Sequence, residues 1–222
     1  MNGAQYADLK VMDSLERLSS ITGGIIGGLP ERPGFYLGGL TMILTNPPFG
    51  SKVTNKNVLK DFAERDGVTK KKGKVVGSVP QEVAFVNRCL EFLKPGGKLA
   101  IVLPDGVLAN SQMQDVRNWI LRYARLKAVV SLPQETFAPF GAGVKTSIIF
   151  LEKREQPLVA EGQLELGQEF IEADEDYKVY MARIDDIGYE ATGRLTVSEE
   201  VAACPPKISE AIAQFDDLSS WL

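Results

Sequence analysis

The 222-residue chain contains no histidine. That excludes Ser–His and Cys–His nucleophilic catalysis and any zinc site built on imidazole. Whatever chemistry it carries has to use amides, carboxylates, hydroxyls, lysines or the backbone. Cysteine is nearly as scarce. Cys89 and Cys204 give neither a disulfide framework nor a metal-binding spacing, and they fit a reducing cytoplasm. Asp185, Asp186 and Glu190 follow no ligand spacing, so the expectation there is a surface turn before Gly188 and no metal. No apolar run approaches the roughly 18 residues of a membrane span. The opening MNGAQYADLK lacks an apolar stretch behind a basic patch, so no secretory leader and no membrane association are expected. A hydrophobic share of 44% with 24% charged residues is that of an ordinary globular, cytoplasmic protein with a real core.

Charge is present but divided. Residues 1–151 carry 19 Lys+Arg against 12 Asp+Glu, whereas residues 152–222 carry 6 against 17. A polyanion would approach the first part and avoid the second. A solvated acidic tail explains the second part equally well.

Regular structure is legible from residue 41 onward. Thr41–Thr45 reads as a short buried strand. The polar stretch from Gly50 to Val79 reads as a long connection, and its Lys70, Lys71, Lys72 and Lys74 either meet phosphates or face water. SVPQEVAFVNRCLEFLKPGG reads as a helix capped by Ser78, with Val83, Val86, Leu90 and Leu93 on one face and Lys94-Pro95-Gly96-Gly97 ending it. KLAIVL (98–103) is a strand and Pro104-Asp105-Gly106 a turn. Residues 115–124 form a second helix, with Val116, Trp119 or Ile120, and Tyr123 inward. Strands follow at Leu126–Leu132 and Thr146–Leu151, expected as an antiparallel pair at the sheet edge. Residues 152–175 read as polar loop, Tyr177–Ile184 as a further strand, and the segment from Thr196 as ending in a helix with Ile208, Ile212 and Phe215. This order predicts an α/β fold with a mostly parallel sheet. Residues 1–40 are rich in Gly and Pro and read as loop. Their Gly23-Gly24 and Gly27-Gly28 are not a dinucleotide fingerprint, because no clear strand precedes them.

The segment TNPPFG (45–50) is the first candidate site. Ligands of open α/β sheets bind outside the carboxyl ends of strands, and Asn46 stands at such an end. Pro47 and Pro48 stiffen the chain immediately after it. The Asn46 amide and a proline carbonyl offer two acceptors converging on one point, as an exocyclic amine needs. Phe49 offers a flat face for a base extruded from a duplex. A plain strand-to-loop turn is the competing reading. Asp105 is read chiefly as a turn residue, with a catalytic acid as the alternative, and Lys145 meets either a phosphate or water.

Asn46-Pro47-Pro48-Phe49 resembles the signature of N6-adenine DNA methyltransferases. With EVAFVNRCLEFLKPGGKLAIVLPDGVL, RNWILRYARLKAVVSLPQETFAPFGAGVKTSIIFLEK and VYMARIDDIGYEATGR, the chain is similar, from about Thr41 to Arg194, to the modification subunit of type I restriction–modification systems. The resemblance implies a partial Rossmann-like class I methyltransferase fold and transfer of a methyl group from S-adenosylmethionine to adenine N6 in DNA. It implies that Asn46 and the Pro47 carbonyl hold the amine, Pro48 stiffens the shelf, Phe49 stacks on the base, and Phe137 or Phe140 closes the other face. For the two later phenylalanines, core packing is the alternative. Lys70, Lys71 and Lys72 would face the DNA. Asp13, in KVMDSL, would accept from the cofactor's amino group, a helix-start Asp being the alternative.

The family's glycine-rich cofactor turn, its ribose-binding acid and its helical N-terminal domain have no counterpart in residues 1–40. The expected organisation is therefore a loop-rich remnant of the cofactor half (1–40), the target-base half (41–152) and an acidic extension (153–222). The expected function is a methyltransferase component inactive alone, or a non-catalytic DNA-binding or assembly fragment. Partners implied are DNA, the specificity (S) and restriction (R) subunits, and a separate chain supplying the missing half.

Overall fold

The apolar, β-branched runs that dominate the middle of the chain pair as strands, and the stripes between them fold as helices against one face. The structure, a computed structural model, describes residues 15, 37–64, 68–71, 74–158 and 177–196. In chain order the strands are β1 (Leu40–Thr45), β2 (Lys52–Val53), β3 (Lys70–Lys71), β4 (Lys74–Val75), β5 (Val79–Pro80), β6 (Leu93–Pro104), β7 (Ala124–Ser131), β8 (Thr146–Lys153) and β9 (Tyr180–Arg183). Helices span Lys56–Glu64, Gln81–Phe92, Asp105–Ala109 and Gln114–Tyr123, with single 3-10 turns at Ser111–Met113 and Ala138–Phe140.

Five strands make the main sheet in the order β1-β6-β8-β7-β9. β1 runs parallel to β6 and β9 parallel to β7, while β8 is antiparallel to both β6 and β7. The expected α/β class with a mostly parallel sheet is therefore what forms. The antiparallel β7–β8 pair forms as expected, but it does not make the sheet edge, because β9 pairs with β7 and lies outside it. β9 belongs to the stretch set apart by its acidity, so the sheet continues into that stretch.

The helix-facing side of the sheet, with Leu99, Ile101, Leu103, Ile149 and Leu151, forms one core with Val83, Val86, Leu90, Trp119 and Ile120. Those last five are the stripes read from sequence. Within this core Arg88, with only 3% of its side chain exposed, pairs with Glu91 at 2.8 Å and Asp61 at 3.6 Å. Its guanidinium lies 4.5 Å from the centre of the Phe62 ring. Both carboxylates are held by a cation that is itself held by an aromatic face.

Three local expectations are corrected. The Gly50–Val79 connection is structured: Lys56–Glu64 is a helix that buries Val58, Leu59 and Phe62. Its start is marked by Asn55, whose side-chain oxygen accepts from the Asn57 amide at 3.0 Å. Burying Phe62 completely is worth about 2–3 kcal/mol, enough to offset the polar flanks that masked the helix. Ser78 does not cap the second helix. Pro80 occupies that position without a side-chain bond, because residues 79–80 pair with β2 and the Gln81 amide bonds the Ser51 carbonyl. Pro104-Asp105-Gly106 is not a turn but the entry to a five-residue helix beginning at Asp105.

The KPGG segment, expected as a helix terminator, is drawn into β6 beside β1. The expectations for most of residues 1–40, for 159–175 and for a helix after Thr196 lie outside the described residues.

Candidate active site

β1 delivers the shelf. Thr45 pairs with Ile101, so β1 stops while β6 continues three residues further to Pro104. The chain then crosses the sheet rim: Asn46 is exposed, Pro47 buried, Pro48 exposed and Phe49 half-buried. A buried proline between exposed neighbours anchors the turn and leaves the amide outside. The Asn46 side chain makes no hydrogen bond among the described residues, so its acceptor and its two donors face outward.

Because β8 runs opposite to its neighbours, the loop from β7 to β8 falls on this same rim. That loop, residues 132–145, carries Phe137 and Phe140. The Phe137 ring meets Phe49 edge-on, with centroids 6.1 Å apart and planes at 74°. Phe140 is 78% exposed. Of the two phenylalanines singled out in sequence, Phe137 touches the shelf aromatic, and Phe140 stands free of the core at the loop tip. Core packing does not account for Phe140.

The loop is tied at its far end to the mouth of β6. The Asp105 amide donates to the Lys145 carbonyl at 2.9 Å. Its carboxylate accepts from the Ser147 hydroxyl at 2.7 Å and lies 3.4 Å from the Lys145 ammonium. Asp105 is thus a bracing group, and Lys145 is engaged by it. Thr146, next to this cluster, is fully buried with a hydroxyl that lacks a hydrogen-bond partner.

A second brace comes from beyond β9. The Tyr189 hydroxyl donates to the Thr136 carbonyl at 2.6 Å, and burial pushes its pKa above the usual phenol value. Neither Tyr189 nor Ser147 was singled out by sequence reasoning. Each meets a partner more than 40 residues away, and no local pattern encodes such a meeting.

Lys70 and Lys71 form β3, which pairs with Lys74–Val75 as a two-stranded ribbon. Lys72 and Asp13 lie outside the described residues. The turn expected before Gly188 is present, with the Gly188 amide bonded to the Asp186 carboxylate at 2.8 Å.

Among the described residues no glycine-rich turn joins a strand to a helix in the manner of a nucleotide cradle. The one acidic side chain at the end of a neighbouring strand, Asp105, is committed to Ser147 and Lys145. The described residues thus bring an exposed amide on a proline-fixed rim next to a pair of aromatic rings.

Comparison with known proteins agrees with this geometry. The N-6 DNA Methylase family model matches residues 30–185. The EcoKI methylase subunit of Escherichia coli K12 is 31% identical over 113 residues, which is 50% of this chain and 18% of that protein. The StySJI methylase subunit of Salmonella typhimurium matches at the same identity and coverage. The chain thus spans under a fifth of the length of these relatives. Among solved structures, one described as a class I S-adenosylmethionine-dependent methyltransferase from Listeria monocytogenes superposes with a TM-score of 0.50 at 17% identity, covering 85% of this chain and 43% of that one. At that identity the likeness concerns the fold.

Proposed function

We propose that this chain, which belongs to the N-6 DNA methylase family, is the target-base half of an adenine-specific DNA methyltransferase of the type I modification-subunit kind. In this reading Asn46 and the Pro47 carbonyl hold the N6 amine of an adenine extruded from DNA. Pro47 and Pro48 keep both acceptors from swinging away. Phe49 contacts one face of the base, and Phe137 or Phe140 the other. Holding the amine by two acceptors fixes the lone pair in direction, so catalysis is by positioning rather than by proton transfer, in keeping with a chain that has no histidine. The lysines of the 70–74 ribbon face the phosphates.

The methyl donor is S-adenosylmethionine, which brings the reactive carbon with it. The described residues do not form its cradle, and Asp13 remains the one residue offered toward it. In this reading the chain is inactive alone and works with a cofactor half and with the specificity and restriction subunits of a type I system. The second reading is a DNA-binding or assembly module without catalysis.

The observation that carries the proposal is the exposed, uncommitted Asn46 amide on a proline-fixed rim beside the Phe49–Phe137 pair. The test uses two single-stranded oligonucleotides that differ at one position, adenine against purine, which lacks the amine. Two hydrogen bonds of about 1 kcal/mol each predict roughly thirtyfold tighter binding of adenine. Asn46→Ala should remove most of the difference without changing the thermal midpoint. Equal binding of both oligonucleotides by the unaltered chain overturns the reading. Calorimetry with S-adenosylmethionine is a second check: tight binding by the chain alone contradicts its need for a completing half.

A further inference from the structure

We propose that Tyr189 is a positioning residue for the base site, and that the hairpin following β9 is the rail on which the aromatic loop is set. The proposal rests on the base-binding reading above, since it concerns the loop that brings Phe137 to the shelf.

β9 and β7 run parallel and end together, with the Ile184 amide bonded to the Ser131 carbonyl. The two chains therefore leave the sheet side by side, one as the aromatic loop and the other as residues 185–196. The second folds back on itself. Tyr189 bridges to Leu195, the Glu190 amide bonds the Arg194 carbonyl at 2.8 Å, and the Thr196 amide bonds the Gly188 carbonyl at 2.9 Å. A hairpin closed in this way is stiff without being part of the core.

It touches the aromatic loop at two places. One is the 2.6 Å bond from the Tyr189 hydroxyl to the Thr136 carbonyl, one residue before Phe137. The other is Gly193, whose backbone lies against Pro139. A Cβ at Gly193 would stand 3.5 Å from the Pro139 Cβ, at a φ of +82° that L side chains rarely adopt. Thr136 is itself fixed, its hydroxyl donating to the Pro133 carbonyl at 2.8 Å. Contacts thus run without a break from Tyr189 to Thr136, to Phe137 and to Phe49.

The 132–145 loop has internal bonds of its own, such as the Ala142 amide to the Phe137 carbonyl and the Gln134 side-chain amide to the Gly143 carbonyl. These set its shape, whereas its seat on the rim is set by contacts outside it. At its other end it is held by Asp105 and Lys145. With both ends fixed, the Phe137 ring is held edge-on against Phe49 before a base arrives, and the ordering entropy is spent in folding rather than in binding.

The test is Tyr189→Phe, which deletes one hydroxyl and keeps the ring, with Gly193→Ala as an independent variant acting at the second contact. Two quantities are read on the full chain. Backbone hydrogen exchange at residues 136–142 should speed up by about fivefold in Tyr189→Phe, matching the loss of one hydrogen bond, with exchange in β7 and β8 unchanged. Binding of the adenine and the purine oligonucleotides, read well below the thermal midpoint, should weaken by a similar factor, because the Phe137 ring meets the face of either base. A hairpin of merely structural value would lower the thermal midpoint and leave both affinities alone, which overturns the proposal. Unchanged exchange at 136–142 overturns it as well. Absence of any adenine preference in the unaltered chain points instead to failure of the base-binding reading, and the exchange arm still decides whether Tyr189 holds the loop.

Discussion

Gly97 is where the shelf strand is most tightly constrained. A Cβ built there would stand 2.7 Å from the Lys94 carbonyl oxygen, 3.0 Å from a Leu93 methyl and 3.1 Å from the Leu40 carbonyl oxygen. Two of these three neighbours are backbone, so the clash cannot be relieved by rotating a side chain. One of them belongs to β1. Gly97→Ala must therefore either bend the start of β6 or push β1 away from it. Overpacking of this kind costs about 1–3 kcal/mol, and the upper end applies because the obstacles are main chain. Gly106 is the control. It lies in the Asp105–Ala109 helix with nothing within 4 Å of its would-be Cβ. Gly106→Ala should gain about 0.5–1 kcal/mol from helix propensity. The two variants, each adding one methyl group, should differ by about 3.5–4 kcal/mol in urea unfolding. For a chain of this size that corresponds to roughly 7–16 °C in thermal midpoint. Gly97→Ala should also weaken the adenine preference, since Asn46 is carried by the displaced strand, whereas Gly106→Ala should leave it intact. If the two variants unfold at the same urea concentration, the claim that β1 and β6 approach too closely for a side chain is wrong.

Two further outcomes concern the core. Arg88→Met removes the guanidinium shared by the buried Asp61 and Glu91 carboxylates and should destabilise the chain by about 3–5 kcal/mol at neutral pH. A loss under about 1 kcal/mol in chemical denaturation would mean that the network contributes little. Burial pushes the Cys89 thiol from 9.0 up to about 12, with Arg88 opposing the shift. At pH 9, native Cys89 should thus be alkylated about a thousandfold more slowly than an unfolded thiol, read by mass mapping of its peptide. The same shift means that the neutral thiol's contribution to stability is whole below about pH 9 and declines as pH rises toward 12. Rapid labelling of Cys89 in folded protein would contradict its burial.

Much of the scaffold was legible because the elements that position the site are strongly patterned. KLAIVL and TSIIFL have no competing reading, and Val83, Val86 and Leu90 mark a helical face that packs as expected. The place of NPPF at the sheet rim was legible for a different reason, since it directly follows a patterned strand and its two prolines end that strand. The Lys56–Glu64 helix was missed because Val58, Leu59 and Phe62 are three apolar residues among lysines and asparagines. Their burial is decided by Asn87, Arg88 and the second helix, some 20 to 30 residues away, as when the Val68 amide bonds the Asn87 side chain at 2.8 Å. Asp105 was read as a turn because Pro-Asp-Gly favours one, but the sheet rim supplied Ser147 and Lys145 and made a helix entry of it. Tyr189 was invisible on the same principle, its partner being set by the side-by-side exit of two parallel strands.

The pairing of β1 with β6 joins segments some 55 residues apart, while β7 and β8 meet across a short loop. Contacts between distant segments carry the larger loop-closure cost and form late. The hairpin is therefore expected to assemble first, and β1 and β9, whose pairing with β7 is also long-range, later. Among the described residues β1 and β9 each have a single neighbouring strand, so these two edges of the sheet are best placed to detach transiently. In kinetic terms, the strand bearing Asn46 is among the last to be secured and the first to be released.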